Sequence, residues 1–327
     1  MEIILGKMAG FCYGVNNAVT KAEEYVKNNR NKKIYCLGEL VHNGQVVKKL
    51  EEAGLIFIDD VSEIIKKEIT LKDERQQFEK EATVIIRAHG EPKSTYEFMK
   101  NNNIEILDLT CPNVVAIHKL VEDSIEKEFY IFLIGQKSHP EAIGTHGFCK
   151  GNCSIIENEE DIDSAFAEIS NKGKDKILVV AQTTFSLEKF YKICEDIQNH
   201  VNDYNNKANY EHGKPEITLQ IKNTICNATK LRQEETENIS KDVNYMIIIG
   251  GKNSSNTKKL YDIALKNCKS ILIESYQELT NENLAELKTC DKVGITAGAS
   301  TPKESIDEVI KYIKGQINCA IEDKKSE

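Results

Sequence analysis

At 327 residues the chain has room for two or three domains of ordinary size, each with its own core. Apolar residues make up 40% and charged residues 29%, which excludes a disordered or a membrane-embedded chain. The formal net charge of −9 excludes a broad nucleic-acid footprint, because phosphate backbones are held by clustered Lys and Arg; an anionic ligand would have to be small and locally bound.

The chain opens with MEIILGKMAGFC, a four-residue apolar run without a basic leader, so neither a signal peptide nor an anchor is expected and the cytoplasm is the expected location. Ten cysteines in such a setting are expected to remain thiols, with metal or redox chemistry preferred over disulfides for any that act. Cys12 then closes an extended segment and opens a helical one in GFCYGVNNAV. The next strand runs into GELVHN with His42, and the one after it into IIRAHG with His89. Between them, Lys66 to Lys80 is densely charged and reads as a solvated surface insertion.

The same series recurs. Cys111 in LTCPNVVAIHKLV leads a helix expected over 113–127, the apolar run Phe129 to Ile134 is a strand, and two polar loops follow: SHPE with His139 and Glu141, and QTTFS with Thr183. The Asn-rich stretch Asn199 to Lys214 reads as a second solvated excursion. Cys226 in TICNATKLRQEET leads a helix expected over 229–241, and the strand Tyr245 to Ile249 runs into GGKNSSN with Ser254, Ser255 and Asn256. A last strand ends in GITAGASTP with Ser300, and the charged tail from Glu322 onward is expected to fray.

Three copies of cysteine, loop, loop predict three related α/β domains with mostly parallel sheets. Their expected bounds are 13–110, 111–222, and 223–318 together with the N-terminal strand 1–12, leaving 319–327 as tail. Ligands of open parallel sheets collect beyond the carboxyl ends of the strands. If all three domains turn those ends inward, three cysteines and six loops face one cavity; the alternative is three βα units whose loops never meet.

The residue chemistry leaves both possibilities open. A cysteine in the first turn of a helix sits in the positive field of the backbone dipole, which favours the thiolate that metals require. Three such thiolates could hold three irons of a cubane and leave the fourth open to substrate, yet no CxxCxxC run is present and cytosolic cysteines are mostly buried hydrophobes. Cys149 and Cys153 in CKGNC lack a partner pair at zinc-finger spacing and read as loop cysteines, while Cys36, Cys194, Cys268, Cys290 and Cys319 read as packing. His42, His89 and His139 stand at equivalent loop positions, where imidazole can donate to phosphate oxygens; one such histidine alone would be a structural residue. Ser254, Ser255, Asn256 and Ser300 could cradle an anion ahead of a helix or serve only as caps. Glu141 is a candidate proton donor if desolvated, and Thr183 could orient a hydroxyl. GGKNSSN is no P-loop, since the required first glycine falls at Met246, and the absence of GxGxxG disfavours hydride transfer from NAD.

With GFCYGV, GELVHN, IIRAHG, DLTCP, SHPE, QTT, TICNAT, KNSSN and AGAS in order over nearly its whole length, the chain resembles the hydroxymethylbutenyl diphosphate reductase family, also called LytB or IspH. The resemblance implies a trefoil of three α/β domains around a 4Fe-4S cluster held by Cys12, Cys111 and Cys226, a cluster that oxygen can convert to a 3Fe-4S form or strip. It implies a substrate diphosphate surrounded by His42, His89, His139, Ser254, Ser255, Asn256 and Ser300, a proton relay at Glu141, and Thr183 supporting the substrate hydroxyl. The implied reaction reduces the allylic diphosphate to isopentenyl and dimethylallyl diphosphates in the non-mevalonate (MEP) pathway, with a one-electron donor such as ferredoxin or flavodoxin. No nucleic-acid partner and no membrane partner are expected for this segment. Asn227 stands where many relatives have tyrosine, which leaves the ligand intact but alters its surroundings. A redox sensor with a cluster but no turnover, and a zinc site on the same thiolates, are the competing readings.

Overall fold

The computed structural model describes residues 1–64, 82–210 and 216–323. Among the described residues twelve strands form three four-stranded sheets in which every pairing is parallel. β2 (Lys33–Leu37), β3 (Leu55–Ile58), β4 (Ala82–Ile86) and β5 (Glu105–Asp108) lie in the order β3-β2-β4-β5. β6 (Tyr130–Ile134), β7 (Cys153–Ile156), β8 (Lys176–Ala181) and β9 (Thr218–Ile221) lie as β7-β6-β8-β9. The third sheet takes β10 (Tyr245–Ile249), β11 (Lys269–Ile273) and β12 (Lys292–Ala297), and is closed by β1 (Glu2–Leu5) in the order β1-β12-β10-β11. Read from the opposite edge, this third order repeats the other two.

The strand sequences explain the arrangement. A parallel strand covered by helices on both faces needs apolar residues at every position, and the five residues of β6 and of β10 are buried without exception. Full burial of each such side chain contributes about 1.5–3 kcal/mol. Edge strands are partly wet: β9 shows Thr218, Gln220 and Ile221 to solvent, and β1 shows Glu2 and Leu5. Each sheet reverses its winding between its two central strands, which leaves a crevice at their carboxyl ends. The loops after β2 and β4, after β6 and β8, and after β10 and β12 are those that carry His42 and His89, His139 and Thr183, and Ser254 and Ser300. Cys111, Cys226 and Cys12 follow the edge strands β5, β9 and β1.

By compactness the chain divides into two units. One comprises Met1–Asn16, Val41–Lys49 and Asn227–Glu327; the other comprises Asn17–Leu40 and Leu50–Cys226. The first holds the β1-β12-β10-β11 sheet with a core of Ile247, Ile249, Ile295, Val309 and Ile313. The second holds the other two sheets, with cores around Val84, Ile86 and Met99 and around Phe132, Val179, Phe190 and Ile197.

The helices expected over 113–127 and 229–241 run over Pro112–Ile125 and Asn227–Asp242. The Asn-rich stretch expected as an excursion is, through Tyr210, the end of the 24-residue helix Leu187–Tyr210. Phe190, Ile193, Cys194, Ile197 and Val201 recur at helical spacing along it and are buried, so packing of that face overrides the loop-like composition. The charged insertion Lys66 to Lys80 and the end of the tail lie outside the described residues. Among the described residues no helix is long and apolar enough to cross a membrane.

Candidate functional site

Within the larger unit, the sequence-predicted residues form a connected series. The Cys111 amide donates to the Ala88 carbonyl (2.9 Å), which fixes the cysteine against the His89 loop. That loop turns through Gly90 at φ +75°, where a Cβ would stand 2.8 Å from His118 Cε1. The His89 and His139 rings meet edge to face, 5.3 Å between centroids. His139 caps the helix Pro140–His146: its Nδ1 accepts from the Glu141 amide (3.1 Å), which leaves the ring proton on Nε2 as a donor. Pro140 suits the first helical position because that position needs no donor.

Glu141 is 2% exposed. Its Oε1 accepts from the Thr183 amide (2.5 Å) and its Oε2 from the Thr183 hydroxyl (2.7 Å). Burial pushes the carboxyl up to about 7 against the pull of the two Thr183 hydrogen bonds, so desolvation wins and the group can hold or release a proton near neutrality. The Thr183 carbonyl in turn accepts from the Cys226 amide (3.1 Å). One loop residue thus touches both the acid and a candidate ligand.

The smaller unit gathers the rest. The Cys12 amide donates to the Ala299 carbonyl (3.1 Å), beside Ser300, and the Ser300 hydroxyl donates to the His42 carbonyl (3.0 Å). Gly251 passes so close to His42 that a Cβ there would lie 2.5 Å from the same carbonyl oxygen. Ser254 caps the helix Ser255–Leu265, accepting from the Thr257 amide (3.3 Å), so its oxygen has a structural task already. Asn256 is different: it is 3% exposed, and among the described residues neither its side-chain oxygen nor its nitrogen has a hydrogen-bond partner. A buried unpaired amide costs about 1–3 kcal/mol, a penalty that a polar ligand would relieve.

The three cysteines share a local setting that the others lack. Cys12, Cys111 and Cys226 each stand immediately before a helix, are half-buried, and are unbridged. The Cys12 Sγ also accepts from the Val15 amide (3.5 Å), a contact with the first turn of the helix it precedes. Burial, by contrast, pushes the Cys36 and Cys194 thiols up to about 12 and raises those of Cys153, Cys268 and Cys290. Cys149 and Cys153 are buried core residues, and Cys153 opens β7 instead of lying in a loop. The donor set therefore fits a thiolate-ligated iron–sulfur group better at these three positions than at the other described cysteines.

Several residues in the neighbourhood escape sequence reasoning. His118 is buried, stacks on Phe148 (4.1 Å) and is held down to about 4 by desolvation, so it is a neutral wedge under Gly90. Glu91 pairs with Arg87 (2.7 Å), and burial raises its carboxyl. The helix Asn227–Asp242 buries a polar stripe of Thr229, Arg232, Gln233, Thr236 and Ser240, which a helix polar on nearly every face does not announce in its sequence.

Comparison with known proteins agrees with the motif order. The model of the family described as LytB protein matches residues 3–314. The 4-hydroxy-3-methylbut-2-enyl diphosphate reductase of Caldanaerobacter subterraneus subsp. tengcongensis is 39% identical over 316 residues, 96% of this chain and 97% of that protein. That of Aquifex aeolicus is 36% identical over 321 residues, covering 97% and 96%. Among solved structures, the E-1-hydroxy-2-methyl-but-2-enyl-4-diphosphate reductase from Plasmodium falciparum superposes with a TM-score of 0.79 at 29% identity, covering 96% of this chain and 87% of that one. A structure of (E)-4-hydroxy-3-methyl-but-2-enyl diphosphate reductase, the terminal enzyme of the non-mevalonate pathway, gives 0.63 at 35% identity, covering 96% and 100%. With three like-wound parallel sheets, the polar loops at their switch points and a family match over nearly its full length, the chain belongs to the LytB family.

Proposed function

We propose that the chain removes the hydroxyl group of 4-hydroxy-3-methylbut-2-enyl diphosphate reductively, giving isopentenyl and dimethylallyl diphosphates as the terminal step of the non-mevalonate pathway. The relatives that bear this activity in their names support the reading. The observation in the chain itself that carries it is the buried Glu141 carboxyl, raised to about 7 and bonded to Thr183, whose backbone bonds Cys226.

Cys12, Cys111 and Cys226 would hold a 4Fe-4S cluster, which when bound supplies a Lewis acid and single electrons. The reaction takes up two electrons and two protons and releases water. A one-electron protein donor of the ferredoxin or flavodoxin kind is the proposed source. Thr183 orients the leaving hydroxyl, and Glu141 delivers a proton to it as the carbon–oxygen bond breaks. His139 offers Nε2–H to the diphosphate because its Nδ1 is engaged as a cap. His42, His89, Ser254, Ser255, Asn256 and Ser300 complete the diphosphate grip, with the Asn256 amide gaining the partners it lacks in the chain alone.

The test is an anaerobic assay with dithionite-reduced viologen. Consumption of reductant together with appearance of both five-carbon diphosphates is the expected result. An iron-loaded preparation that leaves the allylic diphosphate untouched would refute the reading and favour a sensor.

A further inference from the structure

The segment from Gly6 to Cys12 is tied down at more points than its length requires. Gly6 donates to Ile295 (2.8 Å) and Cys12 to Ala299 (3.1 Å), which dock its two ends on β12 and the loop beyond. Between those ends, Glu235 accepts from the Lys7 amide (2.7 Å) and the Met8 amide (3.0 Å). The Arg232 guanidinium donates to the Gly10 carbonyl (2.6 Å), and through its other nitrogen to Ala228 one turn back in its own helix (3.2 Å). Gly10 adopts φ +100°, and a Cβ on Gly6 would stand 2.8 Å from a Glu235 oxygen, so the absence of a side chain at Gly6 makes room for Glu235.

We propose that Arg232 and Glu235 are positioning residues that clamp the Gly6–Cys12 segment and thereby set the geometry of the Cys12 sulfur. The inference rests on the reading of Cys12 as a cluster ligand. Arg232 is 2% exposed, and burial of an ionised group is costly unless hydrogen bonds offset it, as those from its two terminal nitrogens to Gly10 and Ala228 do here. Its bond to Gly10 lies two residues from the sulfur, and the carboxylate three positions along the helix takes the amides of Lys7 and Met8 earlier in the segment. The two side chains match the polarity of the backbone they hold: acid to N–H, guanidinium to C=O. Both come from the helix that follows Cys226 in the chain, so one helix begins next to one proposed ligand and clamps the segment of another.

The test uses Arg232→Met and Glu235→Ala, the conservative variants Arg232→Lys and Glu235→Gln, and Lys241→Met as a control that breaks the exposed Lys241–Glu237 pair of the same helix. In anaerobically loaded protein, loss of iron to a ferrous chelator should be about tenfold faster in Arg232→Met and Glu235→Ala, as for other residues that orient metal ligands. The conservative variants should fall near the parent, and Lys241→Met should match it. In the metal-free chain, iodoacetamide followed by mass spectrometry should show faster alkylation of Cys12, with Cys111 unchanged. Parent-like Cys12 alkylation in both truncated variants would overturn the clamp. Should Arg232→Met fail to fold, Glu235→Ala against Glu235→Gln decides it. A parent chain that takes up no iron would refute the cluster reading, and the alkylation comparison would still judge the clamp.

Discussion

Glu141→Gln is the substitution that reaches furthest into the chemistry. Gln keeps the volume and an oxygen for the Thr183 amide, but it can neither ionise nor deliver a proton. The carboxyl stands at about 7 against an ordinary 4.5. At about 1.4 kcal/mol per unit, its ionisation in the folded chain is opposed by about 3 kcal/mol. Because the folded state binds this proton more tightly than the unfolded chain, the group costs nothing below pH 4.5. The cost grows as pH rises and is complete above about 7. Far-UV circular dichroism in urea, at pH 5 and pH 8, should therefore show the parent losing about 2.5 kcal/mol relative to Glu141→Gln, since a part of the cost is already present at pH 5. Turnover in the viologen assay should fall at least about 100-fold while iron content stays at the parent level. Parallel pH dependence of the two chains would remove the raised carboxyl from the account, and near-parent turnover would remove Glu141 from the proton path.

Asn256→Leu should stabilise the substrate-free chain by about 1–2 kcal/mol, read by urea unfolding, and raise KM for the diphosphate, because it deletes two unpaired buried atoms that the ligand would otherwise satisfy. Cys111→Ser should fold but fail to hold iron, checked by metal analysis of anaerobic preparations. Gly90→Ala should cost about 1–3 kcal/mol of stability, since it forces a side chain into the left-handed region at φ +75° and against His118; a change smaller than about 0.5 kcal/mol would contradict the tight approach.

Much of this was legible in the chain because the central strands of parallel sheets are apolar throughout: Phe129 to Ile134 and Tyr245 to Ile249 read as strands without any partner in view. The loops after them were legible for the same reason, since a polar run directly after such a strand sits at a sheet's carboxyl edge. The link between Glu141 and Thr183 was not, because it joins residues 42 positions apart that follow two neighbouring strands, and nothing local encodes which hydroxyl meets which acid. Arg232 and Glu235 were missed because a polar helix reads as a solvated one, and only the tertiary fold turns Thr229, Arg232, Gln233 and Thr236 inward. The Asn-rich end of the helix Leu187–Tyr210 misled in the opposite sense, with a few spaced apolar residues outweighing many polar ones.

The pairing of β1 with β12, Glu2 against Lys292, has a consequence for biosynthesis. The β3-β2-β4-β5 and β7-β6-β8-β9 sheets can each form while the ribosome is still at work, from strands close together in the message. β1 must wait for β12, so the third sheet closes after the other two. Until residues 292–299 have emerged, Ile295 and Ala299 are not there to receive Gly6 and Cys12, so Cys12 is docked later than Cys111, whose partner Ala88 precedes it in the chain. If Cys12 is the cluster ligand proposed above, iron and sulfide delivered before that point would meet an incomplete donor set.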